Sequence, residues 1–128
     1  MPPDPAELLL RTRGPLVIAH RGASVEAPEN TMAAFERAVA LGADAMELDV
    51  RVTADDDVVV LHDPTLLRTT GISGAVEAMT TRAVLDADAG STFSPDGGRS
   101  FPFRERSVRV PLLGEVLERT EPHAVPQS

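Results

Sequence analysis

Three segments within about forty residues limit the architecture most. The apolar run Leu16-Val17-Ile18-Ala19 reads as a short buried strand. A helix follows, with Asn30 or Thr31 as its cap, Met32, Phe35, Ala38 and Val39 as one apolar stripe, and Gly42 as its stop. Residues 45–52 then alternate with period two. Met46, Leu48, Val50 and Val52 point one way, and Glu47, Asp49 and Arg51 the other. Strand, helix and strand in this order make a βαβ unit, which calls for parallel neighbours and a right-handed crossover. The fold class is therefore α/β.

The next strand cannot be parallel. Thr53-Ala54-Asp55-Asp56-Asp57 is a turn, and Val58-Val59-Val60-Leu61 resumes the apolar run at once, which leaves room only for a hairpin. With Asp55-Asp56 as a two-residue loop, Asp49 stands directly opposite His62, about 5 Å away on the same face. A slip of one residue would turn His62 to the other face. Residues 65–110 are poorly periodic, with turn signals from Thr69 to Gly74, a short helix near Thr81–Leu85 and a loop from Ser94 to Ser100. They read as an insertion. Pro111-Leu112-Leu113 opens a last helix, Leu113 to Arg119. Residues 1–13 read as a leader, with a helical turn over Glu7–Arg11, and 122–128 as an irregular tail.

Chemistry concentrates at the strand ends. Glu47 and Asp49 leave one face of a strand, so they meet either water or a cation, because bare carboxylates in an apolar core are very costly. Solvent is the commoner fate of such a pair, but the apolar opposite face and the opposed His62 favour a hard divalent cation with oxygen ligands, Mg²⁺ or Ca²⁺. His20 and Arg21 arrive together at the end of the first strand, followed by a turning Gly22. Histidine moves protons near neutral pH, and arginine presents a planar fork to phosphate oxygens. Glu29 and Asn30, and the pair His62-Asp63, complete the set. Each has a plain reading too. A lone histidine is usually unremarkable, Glu29 and Asn30 can serve only a helix cap, and Asp63 can simply start the turn at Pro64. Together they suit phosphodiester cleavage, in which one imidazole takes the proton of the attacking oxygen and another protonates the leaving alkoxide. The cation and Arg21 would hold the charge on phosphate. His123 is assigned no role.

Composition narrows the partners. The net charge is −8 and all twelve basic residues are arginine, which argues against a nucleic-acid or anionic-membrane surface. Seven carboxylates but only one basic residue, Arg51, lie between Asp44 and Asp63. The absence of cysteine excludes disulfides and thiolate catalysis. No apolar run is long enough to span a membrane, and the N-terminus lacks a signal pattern, so a cytoplasmic location is expected.

Taken in order, His20-Arg21-Gly22, Pro28-Glu29-Asn30-Thr31, Glu47-Leu48-Asp49 and His62-Asp63 resemble the glycerophosphodiester phosphodiesterase family. The likeness runs from about Val17 to Glu118 and includes Leu66–Gly74 and Pro111–Leu117. It implies a (β/α)₈ TIM barrel whose site lies at the C-terminal strand ends, with residues 65–110 as the family's insertion over the barrel mouth. It implies His20 and His62 as the acid–base pair, Glu47 and Asp49 as metal ligands, Arg21 as a phosphate contact, and Glu29, Asn30 and Asp63 in support. The implied reaction turns a glycerophosphodiester into glycerol 3-phosphate and an alcohol. A lysophospholipid or phosphoinositide is the alternative substrate. A full barrel takes about 250 residues, so residues 14–121 are expected to be a truncated, partial barrel holding its first two βα units. The family's third metal carboxylate has no counterpart in this chain. An inactive remnant that binds cation or phosphate is thus the rival reading, and the open strand edges invite self-association.

Overall fold

The computed structural model describes residues 17–120 and the backbone of 124–127. The leader over 1–13, Leu16 and His123 lie outside the described residues. Strand β1 (Ile18–His20), helix α1 (Met32–Ala40) and strand β2 (Ala45–Val52) follow one another as the pattern requires. β1 runs parallel to β2, with Ile18 beside Ala45 and His20 beside Glu47. Helix α1 starts at Thr31, whose backbone is extended and whose Oγ1 accepts the Ala34 N–H at 3.3 Å. That bond satisfies one of the amides a helix start leaves open. Gly42, at φ 83°, donates its N–H to the Val39 carbonyl and ends the helix. The buried face is Ala34, Phe35 and Ala38. Val39, expected in the apolar stripe, is 36% exposed. One residue beyond Ala38, it is turned about 100° away from the sheet.

Strand β3 (Val58–Val60) pairs antiparallel with β2. The hairpin is present, but its register differs from the expected one by a residue. Val52 faces Val58 and Val50 faces Val60, and the Leu61 N–H donates to the Asp49 carbonyl at 2.9 Å. Asp49 therefore stands opposite Leu61, not His62. The reason lies in the turn. Its loop holds three residues, closed by the Thr53 N–H on the Asp57 carbonyl at 2.9 Å, with Asp56 left-handed at φ 64°. Thr53 Oγ1 also accepts the N–H groups of Asp55 and Asp57. This is the three-residue hairpin with a left-handed closing residue, and it needs only one positive φ where a type I′ loop needs two.

Two cores flank β3. Phe35, Ala38, Ala43, Met46, Leu48, Val60 and Val116 form one. Val59, Leu61, Leu66, Val76, Val84, Ala87, Ala89 and Val110 form the other. Val59 and Leu61 thus enter one core and Val60 the other, while Val58 at the strand start is exposed, and burial on both faces explains the lack of polar alternation from Val59 to Leu61. Residues 65–110 supply most of the second core. They carry helix α2 (Leu67–Thr70), a 3₁₀ turn (Val76–Ala78) and helix α3 (Thr81–Asp86), the last where the sequence places it. Helix α4 (Leu113–Thr120) returns Val116 to the first core.

Residues 124–127, expected to be irregular, form strand β4 (Ala124–Gln127), parallel to β2 with Met46 beside Ala124 and Asp49 beside Gln127. Propensity cannot predict a strand of this length containing Pro126, and pairing with β2 supplies what the local sequence lacks. The result is an α/β unit with a four-stranded mixed sheet. Among the described residues no helix is long and apolar enough to cross a membrane.

Candidate active site

The first site residues are presented by an abrupt turn. The Arg21 N–H continues the parallel ladder onto the Glu47 carbonyl at 2.7 Å, and then Arg21 (φ 59°) and Gly22 (φ 80°) break the strand. A left-handed conformation costs a residue with a Cβ roughly 1–2 kcal/mol. Asn30 adopts it as well, at φ 55°, and its N–H donates to the Arg21 carbonyl at 2.9 Å. Two strained residues therefore brace one another, the kind of local cost that surrounding contacts must over-determine.

β2 contributes Glu47 and Asp49 on one face, while Met46 and Leu48 are fully buried on the other. His20 Nε2 lies 3.3 Å from Glu47 Oε1. Asp49 Oδ2 accepts the amide of Asn30 at 3.2 Å and lies 3.5 Å from Arg21 Nε, an ion pair without hydrogen-bond geometry. Arg21 Nη1 donates to Glu29 Oε2 at 2.9 Å. Glu29 in turn accepts two bonds from Arg68, at 2.7 and 2.9 Å. Arg68 also donates twice to Asp63, at 2.9 and 3.1 Å. Asp63 Oδ1 lies 2.9 Å from His62 Nδ1. The path Asp49, Arg21, Glu29, Arg68, Asp63, His62 is continuous, and it joins the residues singled out in the sequence except the separate His20–Glu47 pair beside it on β2.

His62 is the residue whose placement departs from expectation. It reaches the cluster through Asp63 rather than across the hairpin from Asp49. Its carbonyl is gripped by Arg51, through Nε at 3.1 Å and Nη2 at 2.6 Å. Arg68 was not among the expected site residues. One signal pointed to it, since the acid-rich stretch from Asp44 to Asp63 holds only Arg51, and Arg68 is the next base in the chain.

The charges respond to this arrangement. The Arg68 guanidinium, helped by the His62 ring, holds the Asp63 carboxyl down to about 2. Burial pushes the Glu29 carboxyl up, but Arg68 and Arg21 together outweigh it and leave it below its usual range. The Glu29 carboxylate, followed by Asp63, raises the pKa of Arg68. Asp63 is thus ionised at neutral pH, and the proton between it and His62 sits on Nδ1. The His62 Nε2 edge is left for other partners.

A divalent cation would find hard oxygen donors in Glu47 and Asp49, on one face and only partly exposed. Asn30 Oδ1, beside Asp49, is buried without a hydrogen-bond partner. The donor chemistry fits such an ion. Among the described residues, no group of three His, Asp or Glu side chains is arranged to hold one.

The profile of the "Glycerophosphoryl diester phosphodiesterase family" matches residues 20–126. The chain belongs to this family. A glycerophosphodiester phosphodiesterase of Caldanaerobacter subterraneus subsp. tengcongensis is 48% identical over 103 residues, which cover 80% of this chain and 39% of that protein. A putative glycerophosphodiester phosphodiesterase of Bacillus subtilis is 47% identical over 103 residues, again 80% and 39%. Among solved structures, the family domain of Mycobacterium tuberculosis Rv2277c superposes with a TM-score of 0.82 at 32% identity, covering 89% of this chain and 42% of that one. An Oleispira antarctica phosphodiesterase, solved in complex with the product sn-glycerol-3-phosphate, gives a TM-score of 0.73 at 31% identity, covering 88% and 45%. The chain therefore spans about two-fifths of the length of the relatives it matches. The candidate residues fall at the end of β1, in the loop before α1, on β2, just after β3 and on α2.

Proposed function

We propose that this site hydrolyses glycerophosphodiesters to glycerol 3-phosphate and an alcohol, within the first part of a (β/α)₈ barrel. The observation that carries the reading is the clustering of His20 with Glu47, and of His62 with Asp63, inside a segment that a phosphodiesterase family profile matches. The complex of the Oleispira relative with sn-glycerol-3-phosphate supports the product.

The two imidazoles carry the proton transfers. One removes the proton from the attacking oxygen, and the other protonates the leaving alkoxide. His62 offers Nε2, because Asp63 engages Nδ1. His20 is exposed at the strand end, with Nε2 toward Glu47. Arg21 already gives Nη1 to Glu29, which leaves Nη2 as a donor for a phosphate oxygen. Glu47 and Asp49 would hold Mg²⁺ or Ca²⁺, which when bound would neutralise charge on the phosphate oxygens. Glu29 orients Arg21, and Asn30 orients Asp49.

The test is hydrolysis of glycerophosphocholine by the 128-residue chain, with Mg²⁺ or Ca²⁺ in one arm and chelator in another, reading glycerol 3-phosphate. Metal-dependent product that falls by about 100-fold or more in His20→Ala and in His62→Ala is the expected result. Wild-type turnover in either variant would remove that histidine from the mechanism. Binding of cation and phosphate without turnover would instead support the non-catalytic reading. Turnover of a lysophospholipid in preference to glycerophosphocholine would change the substrate and keep the chemistry.

A further inference from the structure

We propose that Arg68 is the positioning residue of this site. One guanidinium, bonded along two edges, holds Asp63 against the His62 ring and Glu29 against Arg21. The proposal rests on the reading of His62 as an acid–base group.

The geometry is specific. Arg68 Nε and Nη2 donate to Asp63 at 2.9 and 3.1 Å, and Nη1 and Nη2 donate to Glu29 at 2.7 and 2.9 Å. A guanidinium is flat and its donors point in fixed directions, so two forked bonds fix the orientation of both carboxylates. The residues it joins are 39 apart in sequence at Glu29 and only five apart at Asp63. It therefore ties the loop before α1 to the segment after the hairpin.

Arg68 itself is anchored from behind. Helix α2 has four residues and is too short to persist alone. Leu66, just before it, is fully buried in the second core, and Thr70 Oγ1 donates to the Leu66 carbonyl at 2.7 Å. Thr92 Oγ1 donates to the carbonyl of Arg68 at 2.8 Å. The insertion thus delivers a rigid base to the site.

The consequence concerns His62. Asp63 is its sequence neighbour and the His62 side chain is 45% exposed, so without Arg68 the carboxylate is free to turn outward. With Arg68 in place, Oδ1 stays on Nδ1, and the imidazole keeps one tautomer with Nε2 presented. A carboxylate that holds a catalytic imidazole in this way acts on tautomer and orientation. Arg68 is about half exposed, and ion pairs at such exposure contribute little to folding. Its removal should disturb orientation more than stability.

The experiment reads the ring nitrogens of His62 by NMR in the ¹⁵N-labelled 128-residue chain, at about pH 8, where a free imidazole is neutral. The wild type should show a single Nδ1–H tautomer. Arg68→Ala should show the exchanging mixture of a free imidazole, with the backbone amide spectrum unchanged outside the site. Arg68→Lys should fail to restore the single tautomer, because one ammonium cannot serve two carboxylate edges. In turnover, Arg68→Ala should lower kcat about 10- to 100-fold with a smaller change in KM. An unchanged His62 tautomer in Arg68→Ala would overturn the proposal whatever the turnover. Loss of the native amide spectrum in both variants would make Arg68 a structural residue and overturn it as well. A tautomer change alongside full activity of His62→Ala would leave the positioning intact and refute the catalytic role of His62 instead.

Discussion

Gly22→Ala is the substitution that most directly tests how the site is supported. Gly22 sits at φ 80°, between Arg21 and the Ala23 N–H that donates to the Ala34 carbonyl at 2.9 Å. A Cβ built on it would lie 2.8 Å from the Ala34 carbonyl carbon, 2.9 Å from the Ala34 Cβ and 3.0 Å from the Ala34 oxygen. Two of these three atoms are helix backbone and cannot swing aside. The left-handed conformation costs about 1–2 kcal/mol once a Cβ is present, and forcing a methyl into closed space costs about 1–3 kcal/mol more. The stiffer unfolded chain gives back about 0.4–1 kcal/mol. A net loss of about 1–4.5 kcal/mol follows, a large share of the stability of a small domain. Urea unfolding should show it as a midpoint lowered by about 0.5–2 M at unchanged slope. Ala34→Gly added to Gly22→Ala should rescue only part, since it removes the Cβ but leaves the carbonyl. A Gly22→Ala chain within about 0.5 kcal/mol of wild type would refute the close approach of this loop to α1, and with it the bracing of Arg21.

Other perturbations have equally definite outcomes. Asp56→Gly relieves the left-handed closing residue of the hairpin and should stabilise by about 0.5–1 kcal/mol. The Val50–Val60 pairing should persist in nuclear Overhauser contacts, and a shifted register would count against the three-residue loop. Asp63 is held down to about 2 by Arg68 and His62, from an ordinary 3.8. A depressed carboxyl contributes its stabilisation above its unfolded value and loses it as pH falls through the folded one. The Asp63–Arg68 contact should therefore be intact at about pH 5 and fade between about pH 4 and 2, seen as broadening of the Arg68 Nε–H signal. A fade already complete at pH 5 would contradict the assignment. Asp49→Asn should weaken Mg²⁺ or Ca²⁺ binding about tenfold or more by titration calorimetry, because carboxylate charge sets affinity for such ions. Unchanged affinity would remove Asp49 from the cation site.

Much of this protein was legible in its residues, for reasons that act over short distances. The βαβ order followed from a period-two strand, an amphipathic helix and the cap at Thr31, all local signals. The grouping of His20, Arg21, Glu47 and Asp49 followed from strand alternation and from parallel pairing that sets His20 beside Glu47. The tertiary structure decided three further matters. The hairpin register turned on whether the loop would use two residues or three, and Thr53 Oγ1 with a single positive φ at Asp56 favoured three. The strand at Ala124–Gln127 exists by pairing with β2, since no preference of its own residues would make it. Arg68 became the hub because the second core, closed by Leu66 and Val76, carries α2 to a place where two distant carboxylates converge. Periodicity reports which face a residue takes on its own element. Which charges meet across elements depends on how the cores pack, and that appears only in three dimensions.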